Sequence, residues 1–218
     1  MKKMFSLAAI VFAASTLNAQ TLSFGPTVGF GHSWLRNAND LPDGTSRDFH
    51  PSYNLGAKLV YSFVSHWGVS ADLKFSGEGG QFTTDATDVE TTYRLNYVRL
   101  PIQGIYFFNK LGDNVRPKVS LGPSFGFLVG GKGKTKDNGE VTSEADAKDF
   151  AKTFDLGLNA AVGANFKLMG NKWLNADITY AHGFSGVLDA DIDNSDNFKN
   201  NGIGFNVGIL FPINSAKK

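Results

Sequence analysis

The chain has 218 residues, of which 42% are hydrophobic, 13% aromatic and 19% charged, with 25 Gly, 19 Phe and no Cys. Without cysteine there is no disulfide framework and no cysteine-based zinc site, and 21 basic against 20 acidic residues leave no charge excess to attract nucleic acid. After the first 20 residues no apolar run approaches the roughly 18 residues a membrane helix needs, so a glycine- and aromatic-rich β protein remains.

The first segment reads as an export signal. Lys2 and Lys3 form a positive end, Phe5 to Ala14 a short apolar core, and Leu17-Asn18-Ala19 places a small residue before a cut at Gln20. The expected organisation is a signal peptide over 1–19 and a single β domain over 20–218. Loss of Lys2 and Lys3 leaves 19 basic and 20 acidic residues, a net charge of −1.

Beyond Gln20 the dominant pattern is alternation with period two, the mark of strands. It predicts strands over Leu22 to Leu35, Tyr53 to Val64, Val69 to Ser76, Thr91 to Phe108, Lys118 to Val129, Phe154 to Leu168, Leu174 to Phe184 and Ile203 to Phe211. The sixth is the clearest. Phe154, Leu156, Leu158, Ala160, Val162, Ala164, Phe166 and Leu168 share one face, while Asp155, Gly157, Asn159, Ala161, Gly163, Asn165 and Lys167 share the other. Short connections near Ser65-His66, Asn109 to Val115 and Met169 to Lys172 alternate with long polar ones at Arg36 to Pro51, Gly77 to Glu90, Gly130 to Lys152 and Ser185 to Gly202.

Eight antiparallel strands with short turns at one end and long loops at the other describe a bacterial outer-membrane barrel. A soluble barrel also alternates, with its apolar face inside, and glycine separates the two. Gly25, Gly29, Gly31, Gly56, Gly122, Gly126, Gly157, Gly163, Gly204 and Gly208 fall on the face opposite the large apolar residues. Facing water they would weaken the strands for no packing gain. Inside a narrow barrel they make room for long side chains. The expected fold is therefore all-β, an eight-stranded antiparallel up-and-down transmembrane barrel with short periplasmic turns and long extracellular loops.

Tyr97-Val98-Arg99-Leu100-Pro101-Ile102-Gln103, followed by Ile105-Tyr106-Phe107-Phe108, resembles the Tyr-Leu-Glu-Ile-Pro-Leu-Leu pattern and aromatic tail of the PorT-like outer-membrane β-barrel family of Bacteroidetes. Leu121-Gly122-Pro123-Ser124-Phe125-Gly126-Phe127 resembles that family's Gly-Pro strand, and Ala19-Gln20 its signal junction. The resemblance implies location in the outer membrane of a Gram-negative bacterium. The family is named after a member tied to protein secretion and gliding, and an accessory component of such a system stands as one alternative role. Arg99 stands where the family usually has an acid.

In the same segment Tyr93, Leu95 and Tyr97 lie on one parity and Val98, Leu100, Ile102 and Tyr106 on the other, which predicts a β-bulge between Tyr97 and Val98. The small-residue parity carries Lys58, Asp72, Lys74, Arg99, Lys118, Asp155, Lys167 and Asp177, expected to form a salt-bridged lumen, because isolated buried charges cost several kcal/mol. Such a lumen points to a small structural or interaction scaffold that anchors extracellular loops, with a narrow channel as the alternative. The expected partners are outer-membrane lipid and a protein met through those loops, where Phe49, Phe82 and Phe198 are expected to be exposed. No nucleic acid, small-molecule substrate or cofactor is indicated.

Catalytic and metal signals are weak. His32-Ser33 and His182-Gly183-Phe184-Ser185 bring a His near a Ser, but a triad also needs an orienting carboxylate, for which Asp189 is the nearest candidate. Gly133-Lys134-Thr135 ends like a phosphate loop yet has Leu128 where the first glycine belongs. Asp189, Asp191 and Asp193 open like a calcium loop, but Asn194 replaces its glycine and Asn200 its closing Glu.

Overall fold

The computed structural model describes residues 21–36, 41, 44–63, 66–84, 86–110, 112–189 and 198–213, so the expected export signal lies outside the described residues. Among the described residues ten strands follow in order: β1 Thr21–Arg36, β2 Thr45–Asp48, β3 His50–Ser62, β4 Trp67–Thr84, β5 Val89–Phe107, β6 Val115–Asp137, β7 Glu140–Asp146, β8 Phe154–Lys167, β9 Trp173–Gly183 and β10 Lys199–Pro212. Eight of them form a ring of antiparallel pairs. β1 pairs with β3, β3 with β4, β4 with β5, β5 with β6, β6 with β8, β8 with β9, β9 with β10, and β10 returns to β1. This closure satisfies the backbone of every wall strand from both sides. β2 and β7 lie outside the ring, on β4 and β6.

Two of the four expected long loops are strand for most of their length. β4 runs on to Thr84 and β5 starts at Val89, so Gly77 to Glu90 is a long hairpin. Within Gly130 to Lys152, β6 continues to Asp137 and returns as β7 through Asn138-Gly139, whose φ values of 48° and 84° are those a two-residue hairpin turn needs. The physical reason is solvent. Beyond the lipid the outer face of these extensions is no longer apolar, and with Gly, Thr and charged residues along both, no apolar alternation marked them as strands.

The wall is apolar outside. Val28, Phe30, Leu55, Leu73, Val162, Ile178 and Phe205 all point outward with more than half of their surface uncovered. Rings gather at both ends of this band. Trp67, Tyr106 and Phe108 meet edge to face at the turn end, with centroids 5.0 and 5.4 Å apart. His32, Trp34 and Phe49 stack at the loop end, at 5.2 and 4.9 Å. Trp67 and Phe75 both point outward on β4, and at about 3.3 Å per residue and a tilt of roughly 40° they stand about 20 Å apart across the wall, close to the height of a bilayer-spanning apolar band.

The inward face of β5 displays the interior in three layers. Tyr93, Leu95 and Tyr97 belong to an apolar cluster at the loop end; Arg99 and Gln103 are buried in the polar middle; Ile105 and Phe107 belong to a second apolar cluster at the turn end. All share one parity, so β5 keeps its faces where the sequence predicted a switch between Tyr97 and Val98. What changes along the strand is the chemistry of the lumen, not the direction of the side chains. The irregularity lies across the pair: Asn96 faces Gly130 and Tyr97 faces Leu128, so Val129 of β6 is the extra residue. Pro101 stays in the ladder opposite Ser124.

Candidate functional site

The middle layer is built from side chains on β3, β4, β5, β6, β8 and β9. Lys58 and Asp72 are register partners on β3 and β4, and their charged atoms lie 3.3 Å apart. Asp177 of β9 receives Lys118 of β6 at 2.5 Å and Lys58 at 3.7 Å, so four residues form one neutral group. Above them Arg99 of β5 donates to both oxygens of Glu78 at 2.6 Å and to Asp155 of β8 at 2.5 Å. The Arg99 guanidinium also covers the Tyr97 ring at 4.8 Å, tying the ionic layer to the apolar one. A bidentate Arg held by the buried Asp155 and the half-buried Glu78 fixes geometry from three strands at once.

Of the eight residues expected in the lumen, Lys58, Asp72, Arg99, Lys118, Asp155 and Asp177 form these two groups. Lys74 is the register partner of Arg99 and lines a cavity of about 70 Å³ together with Glu78, Arg99, Asp155, Asn159 and Asn200. That volume holds on the order of five waters. Lys167 departs from the expectation: it is exposed at the end of β8, where its backbone N–H bonds Asn114, because the barrel interior ends before it. Glu78 was missed, since it falls in a segment read as loop; the signal was there in the parity shared by Asp72, Lys74, Ser76 and Glu78.

Both ends of this layer are closed by side chains. At the loop end Leu35, Phe82, Leu95, Tyr97 and Leu128 pack with Phe150 and Ala151, from the segment after β7, and with Val187 and Leu188, from the segment after β9. Phe82 and Phe198 therefore face this cap rather than solvent, with rings 5.7 Å apart, whereas Phe49 is exposed and stacks on His32. The two entering segments hold each other through an Ala151–Leu188 bridge and a Lys152 N–H bond to Val187. At the turn end Val60, Ile105, Phe107 and Leu210 fill the interior against Trp173, and the Arg116 guanidinium lies 3.7 Å over the Phe107 ring.

The candidate catalytic residues are dispersed. Ser185 donates to Asp155 at 2.7 Å and accepts from the Leu156 N–H at 2.7 Å, which anchors the cap to the ionic layer. His182 instead meets the Tyr180 hydroxyl and the Asn201 amide, each at 3.4 Å. Asp189 gives its N–H to the Phe150 carbonyl. Ser33 does meet a histidine, but it is His50, its register partner on β3, at 3.0 Å. Arg94 bonds the next carbonyl, Pro51, at 2.7 Å, so the group beside that pair is a cation where a triad needs a carboxylate. Asp191, Asp193 and Asn194 lie outside the described residues, while Asn200 is inside the barrel, 3.4 Å from Asp155.

A family model described as outer membrane protein beta-barrel domain matches residues 18–189. No curated protein matches the chain in sequence. Among solved structures, the outer membrane protein OprG from Pseudomonas aeruginosa is similar at a TM-score of 0.54 and 11% identity, over 90% of this chain and 97% of its own. A major outer membrane protein from Thermus thermophilus is similar at 0.51 and 16% identity, over 89% of this chain and 100% of its own. At such identities the likeness extends to the fold alone.

Proposed function

Since the chain belongs to the outer membrane protein beta-barrel domain family, we propose that this small outer-membrane barrel is a scaffold, which works through what it raises above the bilayer rather than through its lumen. One observation carries the reading: the interior is ion-paired in the middle and filled by apolar side chains at both ends. An eight-stranded barrel is just wide enough for its side chains to fill, whereas porins that leave an aqueous channel have about 16 strands. The dispersal of the Ser, His and Asp candidates supports a non-enzymatic role. In this reading residues 1–19 are removed on export, and the Tyr97–Phe108 and Gly122-Pro123 segments support a place among the PorT-like barrels of Bacteroidetes.

A narrow, gated channel is the second reading, favoured by the 70 Å³ polar cavity. Purified protein in liposomes and planar bilayers separates the two. A scaffold gives no sugar-driven swelling and no steady conductance. Steady conductance that persists in the full chain moves the function to transport. On cells, shortening 36–51 and 130–152 abolishes partner binding if the raised structure is the working part.

A further inference from the structure

Above the closed wall the sheet is open. β2, β4, β5, β6 and β7 continue past the ring as neighbours, and among the described residues β2 pairs only with β4 and β7 only with β6. All seven residues of β7 are exposed. Its outer side is an edge, a row of N–H and C=O groups with no strand beside them among the described residues, and such a row is a template for pairing with another chain.

The chemistry of that edge selects what pairs with it. Lys132 and Lys134 of β6 face Asp146 and Glu144 of β7 in register, and the Glu144 carboxylate takes both lysines, Lys134 at 3.1 Å. On the other side of β6, Lys136 meets Glu90 of β5 at 3.4 Å. Charge thus changes sign across the strands, and the sheet stops on an acidic one: β7 contains Glu140, Glu144 and Asp146 but no Lys or Arg. A second copy fits poorly. Two β7 strands paired antiparallel about Ser143 would set Glu140 against Asp146 in both halves, and like charges directly opposite are destabilising. A strand bearing bases at i and i+2 puts both on one face, opposite Glu144 and Asp146.

We propose that β7 is a docking edge for an extended segment of a partner protein, which adds as a further antiparallel strand and carries two basic residues spaced by one. The inference deepens the scaffold reading and rests on it. Main-chain bonds supply the affinity in this mode and alternate side chains the selection. The register shift between Thr135 and Lys136 makes Ser143–Asp146 the regular part of the edge, so the pairing centres there.

The test uses the full chain in lipid nanodiscs and a fluorescent probe peptide, Thr-Val-Lys-Thr-Lys-Val-Thr. The expected result is saturable binding with slowed amide exchange at 140–146. Binding should weaken at least tenfold when alternate peptide nitrogens are methylated, when both lysines are replaced by Glu, and in the Glu144→Gln/Asp146→Asn variant. Equal binding of the methylated peptide, protection outside 140–146, or no binding of the probe overturns the edge. Two further combinations separate the claims. If the probe fails while cells shortened at 130–152 lose their partner, the edge is wrong and the scaffold stands. If both fail, neither stands.

Discussion

Arg99 and Asp155 meet at 2.5 Å although their strands are not neighbours: β6 runs between them, and the residue it places in their common rung is Gly126. The arginine crosses over the glycine. A Cβ there would lie 2.7 Å from Arg99 Nη1. The same device recurs one group lower, where Lys118 reaches Asp177 over Gly163, whose Cβ would lie 2.3 Å from Asp177 Oδ1. Two ion pairs that staple alternate strands therefore depend on the absence of a methyl group between them.

Gly126→Val should accordingly displace Arg99 from Asp155 and cost about 1–3 kcal/mol through overpacking. Urea titration of the protein folded into vesicles reads the loss. A Gly126→Val protein as stable as the parent would show that the bridge is not threaded over this position.

Removing one partner of the lower group is costlier than removing two. Asp177→Ala leaves Lys118 without its carboxylate in a buried site, with Lys58 held by Asp72 alone, and should cost about 3–5 kcal/mol, as for other broken buried pairs. Adding Lys118→Ala to it should recover part of that, with a coupling of roughly 0.5–3 kcal/mol in the double-mutant cycle. Strict additivity of the two substitutions would remove the contact from the energetics.

The two faces of the wall make opposite demands. Ile178→Lys puts an ammonium on the outward face, where 54% of the Ile178 surface is uncovered, and should cost about 2–4 kcal/mol near the bilayer midplane. Asn159→Lys points instead into the polar cavity and should cost less. The reverse order in vesicles would turn the barrel inside out.

The raised hairpin has a pH window. Lys132, and after it Lys134, hold the Glu144 carboxyl below its ordinary value, and Glu144 holds Lys132 above its own. The glutamate contribution is present above the unfolded value of about 4.3 and is lost as pH falls through the depressed one; the lysine contribution is present below about 10.4 and is lost as pH rises through the raised one. A carbon-13 titration should find the Glu144 midpoint below that of free glutamate, returning to it in Lys132→Met/Lys134→Met. An ordinary midpoint in the parent chain would deny the pairing of Glu144 with Lys132 and Lys134 across β6 and β7.

The wall was legible because lipid enforces contrast. Phe154 to Lys167 alternates strictly, since one face meets hydrocarbon and the other a packed polar interior, and its bounds were read nearly to the residue. Where that contrast ends the reading failed. Gly77 to Thr84 and Gly130 to Asp137 are as much strand as the rest of β4 and β6, but no lipid demands an apolar outer face there, and their residues are mostly glycine, threonine and charged. Tyr93, Leu95 and Tyr97 misled for the opposite reason, being apolar residues on the lumen face that form part of a cap made by distant segments.

Periodicity, turn length and the placement of glycine by themselves determined the class of fold, the number of wall strands and the identity of most charged residues inside. These are properties of single strands, written every second residue. Which charge meets which was decided only by the tertiary structure, because Arg99 and Asp155 are 56 positions apart and come together through the stagger of three strands and a missing side chain. The sealing of the lumen by Phe150, Ala151, Val187 and Leu188, and the open edge of β7 above it, were decided there too. Both follow from pairings between remote segments, and local alternation carries no record of its partner.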